Sequence, residues 1–386
     1  MLAAFLRGHI VALVPPSSKN DEVYTAAARI DRLATILGDD TVEWSSLSHH
    51  EPIPLLSSLR DKGEPGFVIF SSGTTGEPKA VLHSVARFLS KFDKDGKRLR
   101  TLSFLLFDHI AGMDTLFYTL CSGGTLIVPA DRGPHYICRL IERHAIEVLP
   151  ASPTFLNLLC LSGAIEGFDL SSLKIITYGS EPMSPSTLKR VCLALPEVRI
   201  IQKYGTSEFG SPRSVSRSRD SLWIKLKDDE TKTKIQNGLL WIHSPSAMLG
   251  YLNAPNIVDN DGWICTGDRV EQDGEWIQIL GRDTDIIIVG GEKVYPQEVE
   301  NVILELDDVV EAVVSGEPYP LTGQIVTAEV QLREGVDISN APKTIRQHCR
   351  QNLSSFKVPV KVFVVTEPLA TERHKKKRFS AVTVRT

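Results

Sequence analysis

Ser71-Ser72-Gly73-Thr74-Thr75-Gly76-Glu77-Pro78-Lys79 is the stretch from which the rest of the chain can be read. It follows Phe67-Val68-Ile69-Phe70, a continuous apolar run of the kind that forms a buried strand. Glycines let a backbone approach a polyanion closely, and exposed N–H groups, hydroxyls and a lysine can cradle phosphate oxygens. The spacing Gly-x-x-Gly-x-x-Lys is not the Gly-x-x-x-x-Gly-Lys-Ser/Thr of the common nucleotide loop, so a GTPase or kinase reading is weak. A plain Ser/Thr/Gly surface loop has the same composition.

Outward from this loop, short β-rich runs alternate with helical stretches. Residues 102–107, 125–128, 173–178 and 199–203 read as strands, and 115–120, 136–144, 155–161 and 185–195 as helices. Ser184 followed by Pro185 is a good helix start, an N-cap and a proline at the first helical position. This alternation predicts βαβ units and a mostly parallel sheet. After residue 212 the texture changes. Runs at 239–243, 263–265 and 276–280 are separated by Asn237-Gly238, Asp261-Gly262 and Asp273-Gly274, hairpin pairs that predict a small antiparallel, barrel-like section. A further hairpin signal, Gly290-Gly291, precedes Pro296, which opens a helix with Val299, Val302, Ile303 and Leu306 on one face. Strands near 309–314, 324–332 and 358–365 and a helix near 342–353 complete the pattern. The fold class expected is α/β: a large N-terminal domain (1–281) of mostly parallel sheets, helices and a barrel-like section, then a hinge (282–285) and a small α+β C-terminal domain (286–386).

The 386 residues are 42% hydrophobic and 23% charged, which excludes collagen-like, low-complexity and wholly disordered classes. A net charge of −4 gives no global attraction to nucleic acid or anionic membrane. Six cysteines without a C-x-x-C spacing argue against a zinc site or a disulfide framework and fit a reducing, cytoplasmic compartment. No uncharged apolar run reaches the roughly 18 residues of a membrane span.

The loop at 71–79 resembles the phosphate-binding signature of the adenylate-forming enzymes: acyl- and aryl-CoA synthetases, peptide-synthetase adenylation domains and firefly luciferase. Further signatures follow in the same order. Tyr178-Gly179-Ser180-Glu181-Pro182 resembles the adenine-site loop, and Tyr204-Gly205-Thr206-Ser207-Glu208 resembles Tyr-Gly-x-Thr-Glu, with serine in the threonine position. Gly250-Tyr251 and Gly262 through Thr266-Gly267-Asp268 resemble the stretch ending in Thr-Gly-Asp. Gly281-Arg282-Asp283-Thr284-Asp285 and Gly290-Gly291-Glu292-Lys293 resemble the inter-domain hinge and the start of a mobile C-terminal domain. The resemblance covers nearly the whole chain.

It implies ATP-dependent activation of a carboxylic acid to an acyl-adenylate, then thioester formation with coenzyme A or a carrier-protein phosphopantetheine. Residues 71–76 and Lys79 would hold the ATP phosphates, with Thr74 beside the reacting atoms. Residues 179–182 and 204–207 would frame the adenine, Tyr204 stacking on it. Asp268 and Arg282 would hold the ribose, and Glu208 would hold Mg²⁺. Singly, Asp268 also reads as a turn aspartate, Glu208 as a solvated carboxylate, Arg282 as a surface ion pair and Tyr204 as a half-buried aromatic. Lys375, spaced from Thr371 and Arg378 as the family pattern requires, is the candidate for charge neutralisation during adenylation, with Lys376 or Lys377 as substitutes; a solvated basic tail is the plainer reading. His109, Gly112 and Tyr178 fall where the acid would lie, and Gly290 and Gly291 where the thiol channel would form.

Departures from the family pattern are Thr284 at the hinge, His374 in place of glycine before Lys375, and His83-Ser84-Val85, which lacks a second histidine. About 65 residues precede the phosphate loop, so a first lobe is expected to be missing. A non-catalytic, vestigial protein is the rival this shortening suggests. Neither nucleic acid nor a membrane span is expected among the partners.

Overall fold

The computed structural model describes residues 1–15, 21–36, 41–47, 53–72, 77–92, 96–227 and 230–369. The chain is α/β, organised around a parallel sheet of five strands in the spatial order Arg199–Gln202, Ile175–Tyr178, Val148–Ala151, Arg100–Leu102 and Thr125–Ile127. Every pairing in it is parallel. Helices Pro134–His144, Pro153–Leu161 and Pro185–Ala194 pack on it through Ile137, Ile141, Phe155, Leu156, Leu188 and Val191, all buried. Two of these helices start on a serine cap followed by proline. Ser184 Oγ accepts the Thr187 N–H at 3.0 Å and Ser152 Oγ that of Phe155 at 3.1 Å, each bond worth about 1 kcal/mol.

The expected strand at 102–107 is shorter than its apolar run. Pairing stops at Leu102, although Phe104 remains buried. The Ser103 N–H still reaches the Ile127 carbonyl at 2.7 Å, and the chain then turns into helix Ile110–Cys121. The run marks burial, not pairing.

The sheet that carries the 71–79 segment is mixed rather than parallel. Strand Gly66–Ser72 lies between Ile10–Ala12, parallel, and Pro78–Ser84, antiparallel, and Gly250–Tyr251 pairs on the far side of Pro78–Ser84. Its apolar run is buried on both faces. Phe67 and Ile69 join Phe88, Met113 and Phe117, while Val68 and Phe70 join Leu56, Leu59, Ala80 and Leu82. A strand gripped on both faces makes a firm base for the loop at its end.

The third sheet is six antiparallel strands forming a half-barrel, from Ser214–Ser216 to Lys232–Gln236. Asn237-Gly238 is the two-residue hairpin turn expected, with φ of +54° and +77°. In the next hairpin Asp273 pairs with Trp276, so the turn is Gly274-Glu275, one residue later than the Asp-Gly signal.

Strands Ile287–Val289, Glu292–Val294, Val309–Tyr319, Gly323–Leu332 and Lys361–Val365 form a separate sheet, covered by helices Pro296–Ile303 and Ala341–Asn352 around Val299, Ile303, Ile345 and Cys349. This α+β unit docks on the parallel-sheet unit by polar contacts. Asn157 Nδ2 donates to the Val310 carbonyl at 2.7 Å. Arg190 donates to Asn157 Oδ1 at 3.1 Å and to the Leu304 carbonyl at 3.3 Å, and lies 3.6 Å from Asp307. Thr154 Oγ1 donates to Glu311 at 3.2 Å. Among the described residues no helix is long and apolar enough to cross a membrane.

Candidate active site

Two side-chain constellations meet on the segment Tyr204–Gly210. The segment is a tight loop in which Thr206 and Gly210 exchange backbone hydrogen bonds of 3.1 and 3.0 Å. A Cβ at Gly205 would stand 2.3 Å from the Gly210 carbonyl oxygen, so only glycine permits this closure.

Glu208 heads the first constellation. Its Oε1 accepts from the Tyr251 hydroxyl at 2.8 Å, and Ser71 Oγ lies 3.5 Å away. Lys79 Nζ stands 5.3 Å from the centre of the Tyr251 ring. These groups come from three places: the antiparallel pair Gly66–Ser72 and Pro78–Ser84, where Ser71 pairs with Lys79, the strand Gly250–Tyr251 beside it, and the 204–210 loop. Burial first, then the Glu208 charge, pushes the Tyr251 pKa up, so the phenol keeps its proton and donates it to the carboxylate. The sequence pattern quoted Tyr251 without a role. Its pairing across Val81 is the signal that places it here.

Asp268 heads the second. It pairs in register with Arg282 across strands Ile264–Asp273 and Trp276–Arg282, with Arg282 Nε 2.9 Å from Oδ1. The Tyr204 hydroxyl donates to Oδ2 at 2.6 Å. Thr266 Oγ1 accepts the Asp268 N–H at 3.1 Å and itself donates to the Leu240 carbonyl, while Arg282 Nη1 donates to the Thr266 carbonyl at 2.8 Å. The Asp268 side chain is 9% exposed and that of Arg282 47%, so the pair sits at a rim with the carboxylate inside. Tyr204 is buried with its ring 5.6 Å from Phe209, and burial followed by the Asp268 charge holds its pKa well above the ordinary value. The Arg282 charge is felt at Tyr251, which links the two constellations.

The 178–182 segment lies beside them at the carboxyl end of strand Ile175–Tyr178. A Cβ at Gly179 would stand 2.6 Å from the Lys203 carbonyl oxygen, and Ser180 holds a left-handed φ of +73°, a conformation that costs a serine about 1 kcal/mol or more. Glu181 Oε1 accepts the Thr154 N–H at 2.9 Å. Pro182 lies next to Thr154, Asn157 and Glu311 at the joint with the α+β unit. Tyr178 is buried in the parallel-sheet core, and its hydroxyl bonds Gln202 at 3.0 Å.

His109, half-buried, occupies the N-cap position of helix Ile110–Cys121 without a side-chain capping bond. A Cβ at Gly112 would stand 1.9 Å from the Leu106 carbonyl oxygen, so this glycine is required for the helix to lie against the preceding loop. Gly290 and Gly291 form the expected turn, with φ of +59° and +90°, and are exposed. Two features lie outside the roles read from the motifs: His83, whose Nε2 meets the Ser207 carbonyl at 2.7 Å, and the Lys91–Asp114 ion pair, whose Lys91 also lies 3.4 Å from the Ser211 carbonyl. The Ser72 side chain, Gly73, Thr74, Thr75, Gly76 and the 373–378 stretch with Lys375, Lys376 and Lys377 lie outside the described residues.

Among the described residues no group of three or more His, Cys, Asp or Glu could cage a metal ion. Glu208, with hydroxyls beside it, is a donor set that suits Mg²⁺ carried on phosphate oxygens, since that ion keeps waters and takes only one or two carboxylates.

A tyrosine-aspartate-arginine rim, a carboxylate beside a hydroxyl- and lysine-bearing hairpin, and a separate α+β unit define a nucleotide-handling enzyme class. The chain matches the AMP-binding enzyme family over residues 7–252 and the AMP-binding enzyme C-terminal domain over residues 298–376. It belongs to this family of adenylate-forming proteins. It is 31% identical to acyl-CoA synthetase 7 of Caenorhabditis elegans, over 85% of this chain and 66% of that protein. It is 28% identical to the fatty acid–[acyl-carrier-protein] ligase MmaC of Mycobacterium marinum, over 96% of this chain and 78% of that protein. Among solved structures it resembles the amide bond synthetase McbA of Marinactinospora thermotolerans, with a TM-score of 0.68 and 27% identity over 80% of this chain and 67% of that one. The chain spans about two thirds of the length of the curated relatives it matches.

Proposed function

We propose that the protein is an ATP-dependent acid–thiol ligase that works in two steps. In the first, a carboxylate oxygen attacks the ATP α-phosphorus, the bond to the β-phosphate breaks, and acyl-adenylate and pyrophosphate form. In the second, a thiolate attacks the acyl carbon and AMP leaves with the bonding electrons. The observation that carries this reading is the meeting of Glu208, Ser71, Tyr251 and Lys79 at one end of the 204–210 loop and Tyr204, Asp268 and Arg282 at the other. The first set suits a polyphosphate, and the second suits ribose hydroxyls, which accept from Arg282 and donate to Asp268. Magnesium, when bound, would neutralise charge on the phosphates, with Glu208 as its protein ligand. Residues 71–76 would cradle the phosphates, 179–182 and 204–207 would frame the adenine, and His109 would border the acid, whereas Tyr178 and Gly112, expected there, are buried in packing of their own.

Two steps on one site require a rearrangement between them. In this reading residues 1–281 stay fixed and 286–386 rotate about 282–285, so that Lys375 serves the first step and the Gly290-Gly291 turn the second. Coenzyme A is the proposed thiol, supported by the CoA ligases among the relatives. A carrier-protein phosphopantetheine is the second reading, supported by the carrier-protein ligase matching over 96% of the chain.

Pyrophosphate exchange across a panel of carboxylic acids tests the first step. Exchange with at least one acid is the expected result, and folded protein that neither exchanges nor binds ATP would leave a non-catalytic role in its place. Comparing CoA with carrier proteins as acceptors decides the thiol.

A further inference from the structure

His83 is a polar ring in an apolar wall. It lies on strand Pro78–Ser84 facing the cluster of Phe67, Ile69, Phe88 and Met113, and is 1% exposed. The Phe67 ring stacks on it at 4.9 Å and 11°, and Phe88 meets it edge-on at 6.1 Å. Its Nε2 donates to the Ser207 carbonyl oxygen at 2.7 Å, and among the described residues Nδ1 is buried without a partner. A carbonyl only accepts, so Nε2 carries the hydrogen.

We infer that His83 is a positioning residue for adenylation: its Nε2–H, donated to the Ser207 carbonyl, sets the direction in which Glu208 points. The Ser207 oxygen and the Glu208 N–H belong to one peptide plane. His83 holds the oxygen end, and Thr206 Oγ1 accepts the N–H end at 3.2 Å. The next plane is held in turn, because the Glu208 carbonyl accepts the Met248 N–H at 2.7 Å. With both flanking planes fixed, the Glu208 Cα has no freedom to swing, and the carboxylate stays aimed at Tyr251 and Ser71.

Placing an imidazole among phenylalanines costs desolvation, and the bond to the Ser207 carbonyl repays it only in part. Burial drives its pKa down to about 4, against the opposing pull of the Ser207 carbonyl, with the Lys91 charge adding to the fall and Glu208 and the Ser246 carbonyl resisting it. At neutral pH the ring is therefore uncharged and works as a fixed donor. An apolar residue would pack as well, so the donor is what the position is for.

This role rests on the reading of Glu208 as the acid at the phosphate end, and His83→Leu against His83→Gln tests it. Leucine keeps the burial and loses the donor, whereas the glutamine amide can restore one. Leucine is expected to slow pyrophosphate exchange about 10- to 100-fold and to raise the Mg·ATP requirement, the loss of a buried hydrogen bond at a positioned group. Thioester formation from supplied acyl-adenylate should stay within about twofold of wild type, as that step uses neither β- nor γ-phosphate. Glutamine should recover much of the exchange rate. Equal loss of both half-reactions, no loss in either, or a glutamine variant no better than leucine would overturn the assignment. Nitrogen-15 chemical shifts of labelled histidine give a check independent of activity: a neutral Nε2–H tautomer supports the geometry, and an Nδ1–H tautomer overturns it. Wild-type protein that exchanges pyrophosphate with no acid overturns the functional reading and this role together. Wild-type exchange left unchanged by His83→Leu overturns this role alone.

Discussion

Removing a single oxygen, in Tyr204→Phe, probes the buried side of the tyrosine–aspartate–arginine rim. The ring would keep its place against Phe209 and the Ile224, Leu240 and Ile242 cluster, so no cavity opens beyond the hydroxyl itself. What is lost is a 2.6 Å bond to a carboxylate that is 9% exposed. A hydrogen bond to a charged, buried acceptor contributes about 1.5–3 kcal/mol, so the expected loss is about 2 kcal/mol. Arg282 remains at 2.9 Å but is half in water, and its attraction is too screened to make up the difference. At about 2–4 °C per kcal/mol for a unit of this size, the midpoint should fall about 4–8 °C. Urea denaturation of Tyr204→Phe, Asp268→Asn and the double variant measures the coupling directly, and it should come to about 1.5 kcal/mol or more. Strict additivity, with coupling below about 0.5 kcal/mol, would refute the argument that this bond holds the Asp268 carboxylate in place.

The remaining predictions concern different parts of the molecule. Lys91→Ala strands the Asp114 carboxylate, 13% exposed, and should cost about 3–5 kcal/mol in denaturant, while Lys91→Met with Asp114→Leu should recover most of it. Gly112→Ala forces a methyl onto the Leu106 carbonyl and should cost about 3 kcal/mol, seen as a lowered midpoint or insoluble expression. Lys375→Ala should abolish adenylation yet spare thiol transfer from supplied acyl-adenylate; equal loss of both half-reactions contradicts the role given to that lysine.

Local signals in the sequence translated into local structure. Asn237-Gly238 and Gly290-Gly291 each specify positive φ values that few other residues adopt, Ser184-Pro185 supplies a side-chain cap and a fixed φ, and each stands where its chemistry says. The run 67–70 announced burial because a strand covered on both faces has no polar side to alternate with. The run from 102 announced burial too, and there it misled, since side-chain hydrophobicity does not distinguish a paired backbone from a turning one. The motifs nominated Tyr204, Asp268 and Arg282 separately; their meeting depends on a strand register that no local pattern contains. The roles of His83 and Tyr251, both present in the motifs, stayed unread for the same reason. Their partners lie 124 and 43 residues away, and a lone histidine or tyrosine on a strand reads as packing.

The joint between the α+β unit and the parallel-sheet unit holds one more consequence. Its grip is Asn157 on Val310, Arg190 on Leu304 and Asp307, and Thr154 shared between Glu181 and Glu311. The polar groups of the grip can each be satisfied by water when the units part, although Pro153, Pro182 and Leu304 line the same seam. Such a seam behaves like a wet clasp rather than a glued face. A seam held mainly by such pairs is expected to loosen as salt rises.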